Sequence, residues 1–312
     1  MQKGYVNSRK PLDKTSITQA GDRGSLQFST RPAEYNGSIM SIANKPMITV
    51  PPTMTVKGAA ETMTKYRFRR LPVTDPGTNK LLGVIGSSDI IEFLGGGEKY
   101  LLIENKHNGN FLAAINESVR EIMVTDVVTL GTEASIKDAL ELMSSSRVGG
   151  LVIVDGERRV VGIVTERDFV FLLANKVAGK KAAEYMTKKV VTTTPGMNLG
   201  DATKIMVRNS FRRLPVISQG FLTGILTTRM IIEYIGRNHI FSKIVKNRVE
   251  EVLKTHVEEI MKAQVPTVGP DTDLGEVARV MEESGTGTVC VVEDRKLLGI
   301  LTERDILKAL ST

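Results

Sequence analysis

LGILTERD, residues Leu298–Asp305, is the stretch on which the reading of this chain turns. It returns as VGIVTERD (Val161–Asp168), LGVIGSSD (Leu82–Asp89) and TGILTTRM (Thr223–Met230). In each copy a glycine sits among apolar residues. The apolar run then gives way to polar residues just where a helical period begins. Four copies of one strand-to-helix corner imply four copies of one structural unit. Thr-x-x-Asp ahead of an apolar helix is also close to a capping box, so one copy alone would say little. A cap and a ligand contact use different atoms, and both readings stand together.

Working outward, each unit opens near a methionine. Met40 to Gly83, Met123 to Gly162, Met186 to Gly224 and Met261 to Gly299 span 43, 39, 38 and 38 residues. An extended piece follows each methionine: MITVPP, VVTL, VVTTTP and VPTVGP. A helix comes next, with apolar residues three to four apart, as at Ile136, Leu140 and Met143, at Leu199, Ala202 and Met206, and at Leu274, Ala278 and Met281. The β-rich runs LPVTD, LVIVD, LPVIS and VCVVE lead into the glycine-bearing strand. A last helix opens with DIIEFL, RDFVFLL, RMIIEYI or RDILKAL. The unit is therefore strand, helix, strand, strand, helix, an α/β arrangement.

The chain divides into a leader at 1–37 and units at 38–110, 111–178, 179–250 and 251–312. The leader lacks any helical or strand period. It carries Lys3, Arg9, Lys10, Lys14, Arg23 and Arg31 against Asp13, Asp22 and Glu34. The whole chain has a formal charge of +7, which favours an anionic partner. Further lysines cluster at Lys176, Lys180, Lys181, Lys188 and Lys189, and cations recur at Arg237, Lys243, Lys246 and Arg248. A solvated face explains each cluster as well as a binding patch does. Residues 95–119 extend the first unit's last helix and loop out, and 236–259 have a helical look. One cysteine, Cys290, excludes an internal disulfide and suits a reducing compartment. No apolar run reaches the roughly 18 residues of a membrane span, and no secretory signal opens the chain. The expected location is the cytoplasm.

These four units, closing on Gly-apolar-apolar-Thr-x-x-Asp, resemble CBS domains over residues 38–312. The resemblance implies that units one and two, and units three and four, pair through their sheets into two modules that together form a disc. That disc is similar to the gamma subunit of AMP-activated protein kinase. The ligand so implied is an adenine nucleotide (AMP, ADP or ATP), with the Asp on the ribose and the Thr near the phosphate. The residues that carry over are Thr165 with Asp168 and Thr302 with Asp305. Unit one keeps Asp89 but has Gly86 at the Thr position, where Ser87 or Ser88 is a substitute. Unit three keeps Thr227 but has Met230 for Asp, so its site is expected to be weak or empty. FRRLPV occurs at Phe68–Val73 and Phe211–Val216. By the same resemblance, Arg69 and Arg212 reach a phosphate, with Arg70 and Arg213 as neighbours able to do the same. Gly149 and Gly287 stand at the matching positions of units two and four. Guanidinium suits bidentate pairing with phosphate.

No catalytic motif is present. There is no phosphate-binding G-x-x-x-x-G-K-[ST] loop. His107, His239 and His256 have no metal spacing with Cys290, so no metal or resident cofactor is expected. Glu166 and Glu303 read as exposed acids at helix starts. IMP dehydrogenase carries such units within a barrel, but the four units leave no room for one. The expected function is non-enzymatic regulation by adenine nucleotides. One expected output is a ribosomal subunit or rRNA, bound through the leader, because four-CBS proteins with a basic arm are similar to archaeal ribosome-hibernation factors. The other is a partner enzyme, controlled in the manner of the kinase gamma chain. The preferred nucleotide, competition by S-adenosylmethionine and stacking of two discs into a homodimer stay open.

Overall fold

Four helices at equivalent positions begin on a capping residue. Thr55, Ser135, Asn198 and Asp273 accept from the backbone N–H of Gly58, Asp138, Asp201 and Gly275, at 2.6–3.1 Å. These bonds satisfy orphan donors of the first turn. The structure is a computed structural model that describes residues 37–45, 47–95, 97–173 and 179–311. Unit one comprises α1 (Val56–Tyr66), β1 (Arg70–Thr74), β2 (Leu81–Gly86) and α2 (Ser87–Gly95). A connection with α3 (Leu101–His107) and α4 (Phe111–Ile115) leads to unit two. That unit has β3 (Thr129–Gly131), α5 (Ile136–Ser146), β4 (Gly150–Val154), β5 (Val160–Thr165) and α6 (Glu166–Leu173). After α7 (Ala182–Tyr185), unit three has α8 (Leu199–Arg208), β6 (Arg213–Ser218), β7 (Phe221–Thr227) and α9 (Thr228–Gly236). After α10 (Val249–Leu253), unit four has β8 (Thr267–Val268), α11 (Leu274–Glu283), β9 (Thr288–Glu293), β10 (Lys296–Thr302) and α12 (Glu303–Ser311).

Within each unit the middle strand runs antiparallel to the glycine-bearing strand. The first extended piece pairs parallel to the middle strand. In units two and four it forms a short strand, β3 or β8. In units one and three it makes a single bridge, Val50 to Val73 and Thr193 to Val216. The apolar stripes read from the sequence are buried, with Met63, Met143, Met206 and Met281 at equivalent depths in the four first helices. The two long connections are not helical extensions of their neighbours. They break into short turns and helices that meet each other, with Phe111 N–H bonded to Asn247 O at 3.0 Å.

The units pair by exchange. The segment after each opening turn adds to the sheet of the partner unit: Asn44 bridges Ile163, Val124 bridges Val84, Thr187 bridges Ile300 and Lys262 bridges Ile225. This gives the glycine its reason. A Cβ on Gly83 would stand 2.8 Å from Met123 Sδ, and one on Gly224 2.8 Å from Met261 Sδ. Met186 covers Gly299 in the same way, whereas Ala43 rather than Met40 faces Gly162. In three of the four cases the landmarks that define the repeat are thus the two halves of one contact between partner units. The modules then meet through helices: α1 and α2 of unit one against α8 and α9 of unit three, and α5 and α6 of unit two against α11 and α12 of unit four. Sheets join one to two and three to four, and helices join one to three and two to four. The result is a closed ring of four units, the disc.

Candidate functional site

Each glycine-bearing strand delivers its last residue to the start of a helix, and the polar residues of that corner complete the first turn. In unit four, the Thr302 N–H and hydroxyl both donate to Asp305 Oδ2 at 2.8 Å. In unit two, the Thr165 N–H (2.6 Å) and hydroxyl (2.8 Å) donate to Asp168 Oδ2. The cap therefore uses one carboxylate oxygen. Asp305 Oδ1 has no protein partner among the described residues, whereas Asp168 Oδ1 accepts from Asn44 Nδ2 at 2.8 Å. Burial pushes both carboxyls above the ordinary 3.8, against the lowering effect of these hydrogen bonds.

The other two corners differ. Asp89 Oδ2 accepts from the Gly86 N–H at 2.7 Å, and Oδ1 from Lys99 Nζ at 2.6 Å. Lys99 lies in the glycine-rich turn after α2, a partner the sequence reading missed. Ser87 does not take the place of the absent threonine: it is buried and bonds Thr228 Oγ1 of unit three at 3.3 Å. Ser88 lines the cleft. In unit three, Thr227 is a plain cap, accepting from the Met230 N–H at 3.3 Å.

The arginines of FRRLPV converge at the centre of the disc. Arg70 donates to Gly149 O at 2.8 Å, and Arg213 to Gly287 O at 2.5 Å. The glycines that stand where Arg69 and Arg212 would fall thus serve as acceptors. They also make room, since a Cβ on Gly149 would lie 2.7 Å from Glu166 Oε2, and one on Gly287 would collide with the Glu303 carboxylate. The expectation that Glu166 and Glu303 are exposed is wrong. They are 4% and 2% exposed. Glu303 pairs with Arg69 at 2.6 Å and Arg167 at 3.0 Å. Glu166 pairs with Arg304 at 3.0 Å and approaches Arg212 at 4.0 Å. Each TERD corner therefore gives its Glu to the arginine of the other and takes the other's Glu in return. Four units meet here, and only arginines supply the charge that lets a carboxylate stay in this interior.

Burial alone would raise Glu303, but Arg69 and Arg167 overcome it and hold the carboxyl at about 2. Burial, then repulsion from Arg212 and Arg69, lowers Arg70 to about 9. Burial lowers Arg213 to about 10. Two carboxylates do not neutralise this cluster, so it can take an anion.

Several clefts open onto the cluster, and three of them bear on the predicted corners. One of about 280 Å³ holds Asp89, Ser88, Arg69 and Arg70, with Val84, Val124 and Val152 as an apolar flank. A second, of about 200 Å³, holds Thr302, Arg212 and Arg213, flanked by Val190, Val191 and Phe211. A third, of about 460 Å³, holds Thr227 and Met230. Neither Asp168 nor Asp305 lines any of the three. Apolar walls with a few convergent polar groups suit a small charged ligand. Among the described residues no group of His, Cys, Asp and Glu could hold a metal ion. No helix there is long and apolar enough to cross a membrane. Cys290 is buried, which pushes its thiol up to about 12. Lys3, Arg9, Lys10, Lys14, Arg23 and Arg31 lie outside the described residues.

Comparison with known proteins is consistent with this geometry. The CBS-domain family matches residues 39–96, 119–175, 182–237 and 257–312. The chain belongs to the CBS-domain family. An uncharacterized protein of Methanocaldococcus jannaschii is 43% identical over 273 residues, covering 86% of this chain and 98% of that one. The crystal structure of that archaeal CBS protein, described as a candidate homologue of g-AMPK, superposes with a TM-score of 0.82 over 87% of this chain and 99% of that one. An uncharacterized protein of Thermofilum pendens, described as lying in a ribosomal RNA operon, is 32% identical over 265 residues, 85% of this chain and 88% of that protein. Similarity to the IMP dehydrogenase of Nitrosopumilus maritimus (34% identity) covers 35% of this chain and 22% of that enzyme, within the CBS region.

Proposed function

We propose that this CBS protein is a non-enzymatic regulator that reads AMP, ADP or ATP at its clefts. The observation that carries the reading is the corner of unit four. There Asp305, one oxygen without a protein partner among the described residues, is bonded to Thr302, and Thr302 lines a cleft with Arg212, Arg213 and the apolar Val190, Val191 and Phe211. A ribose diol donates to the open oxygen, phosphate meets the guanidiniums, and the base lies on the valines. Bonds to an ionised acceptor are the stronger kind. Asp168 serves unit two once Asn44 yields its bond, and Asp89 serves unit one beside Lys99. Resemblance to the g-AMPK candidate supports nucleotide control of an interaction.

The test is calorimetry on the full chain. Asp305→Ala and Asp168→Ala are each expected to remove one nucleotide equivalent, and Met230→Ala none. Unchanged stoichiometry in both Asp variants overturns the assignment. For the output, the ribosomal subunit is the first choice, supported by the operon described for the Thermofilum pendens relative and by the basic leader at 1–37. Co-sedimentation with subunits that is lost on deleting 1–37 is the expected result. Recovery of an enzyme without ribosomal protein or RNA favours the second reading, a regulatory subunit like the kinase gamma chain.

A further inference from the structure

The unit-three corner lacks the carboxylate that grips a ribose, because Met230 stands in its place. Yet its cleft, at about 460 Å³, is larger than those at Asp89 and Thr302. Eight cationic side chains line it, against one carboxylate, Glu233. Most of that positive charge is only partly answered. Arg69 and Arg167 share the single carboxylate of Glu303. Arg229 lies 3.4 Å from Glu233, and Arg212 reaches Glu166 only at 4.0 Å. Among the described residues Arg237 and Lys262 have no ion pair, although both border the cleft. Burial lowers Arg212 and Arg229, and repulsion from neighbouring arginines adds to it. The walls also carry the hydroxyls of Thr227, Thr228, Ser284, Thr286 and Thr288. The apolar lining is sparse by comparison with the valine flank at Asp89.

The chemistry that fits is an anion of high charge with no demand for a diol acceptor. A single phosphate brings about two negative charges and leaves such a cleft still strongly positive. We propose that the unit-three cleft binds a chain of two or three phosphates, held by Arg229, Lys262 and the central arginines without a grip on ribose. The chain comes either from a free oligophosphate or from the tail of a nucleotide. The proposal goes beyond the nucleotide reading and does not depend on Asp168 or Asp305. It turns the corner that looks defective by sequence into a site of different specificity. Arginine forks match phosphate oxygens, and desolvation inside the cleft strengthens each pairing.

The probe is inorganic tripolyphosphate, titrated calorimetrically into the full chain, with pyrophosphate, orthophosphate and adenosine in parallel. One equivalent of tripolyphosphate is expected to bind, more tightly than orthophosphate, and adenosine is not expected to displace it. Arg229→Gln with Lys262→Gln is expected to weaken tripolyphosphate at least ten-fold while AMP binding at the Asp corners is unchanged. Those two side chains line this cleft and neither of the others. The conservative pair Arg229→Lys with Lys262→Arg retains most of the affinity, which separates charge from fold. Displacement by ATP and not by adenosine supports the same site and adds the nucleotide tail as a source. The proposal is overturned if tripolyphosphate does not bind, or if its binding survives the Gln pair and is lost with Asp305→Ala. Failure of the nucleotide reading looks different: AMP stoichiometry would then ignore Asp168→Ala and Asp305→Ala, whatever tripolyphosphate does.

Discussion

The disc has two halves built from the same unit and joined in different ways. Where units one and three meet, one apolar core runs through both, from Leu71 and Ile91 to Leu214 and Ile232. The helices come close enough that a Cβ on Gly236 would stand 2.5 Å from Thr64 Oγ1 and 2.8 Å from Ala60 O. Where units two and four meet, each keeps a core of its own and lends the other one residue. Val170 enters the core of unit four, and Leu307 that of unit two. Beside them the two buried glutamates cross to arginines of the opposite module. The first half is anchored by packing, and a phosphate does not compete with apolar contacts. The second half rests on charges that an incoming phosphate competes for. A ligand shifts an equilibrium only by binding its states unequally, and the ionic half is where that inequality can arise.

The largest expected effect lies in that ionic half. Glu303→Ala leaves the half-buried Arg69 and Arg167 without their carboxylate and is expected to cost about 3 kcal/mol or more in urea unfolding. Added AMP or tripolyphosphate should recover part of the loss. A cost below about 1 kcal/mol would mean that the clasp is ornamental and the contrast between halves is false. Ile232→Ala in the shared apolar core should follow, at about 3 kcal/mol. Its deficit should not change when an anion is added, and an equal rescue in both variants would erase the comparison. The smallest effect appears on strong acidification. The Glu303 carboxyl is held at about 2 against an ordinary 4.5, so its contribution is full above pH 4.5 and fades as pH falls toward 2. Thermal melting in that window should lose less stability in Glu303→Gln than in the parent chain, because the variant has no carboxylate left to protonate.

The repeat and its corners were legible because they are local. A glycine amid apolar residues, a capping pattern and a helical stripe all lie within about forty residues, and each has a short-range cause. The pairing of Asp168 with Thr165, and of Asp305 with Thr302, is of this kind. What eluded the sequence depends on four segments meeting. A glutamate at the first position of a helix, followed by arginine, is normally solvated. Only the approach of the second module buries Glu166 and Glu303. A trace of this was present in Gly149 and Gly287, which stand where units one and three carry arginine. A missing side chain opposite a doubled arginine marks space that something else fills. Lys99 on Asp89 and Asn44 on Asp168 left no such trace, since nothing in a glycine-rich turn or an opening segment points to a particular carboxylate.

The traded opening segments have a consequence for how this chain can be divided. A lone unit would have a bare notch above its glycine, with a methionine-bearing segment that has nowhere to sit. A genetic cut between units one and two, or between three and four, therefore severs two seats at once, while a cut between the modules severs neither. By the exchange of opening segments, the two-unit module is the smallest piece that keeps every glycine seat filled.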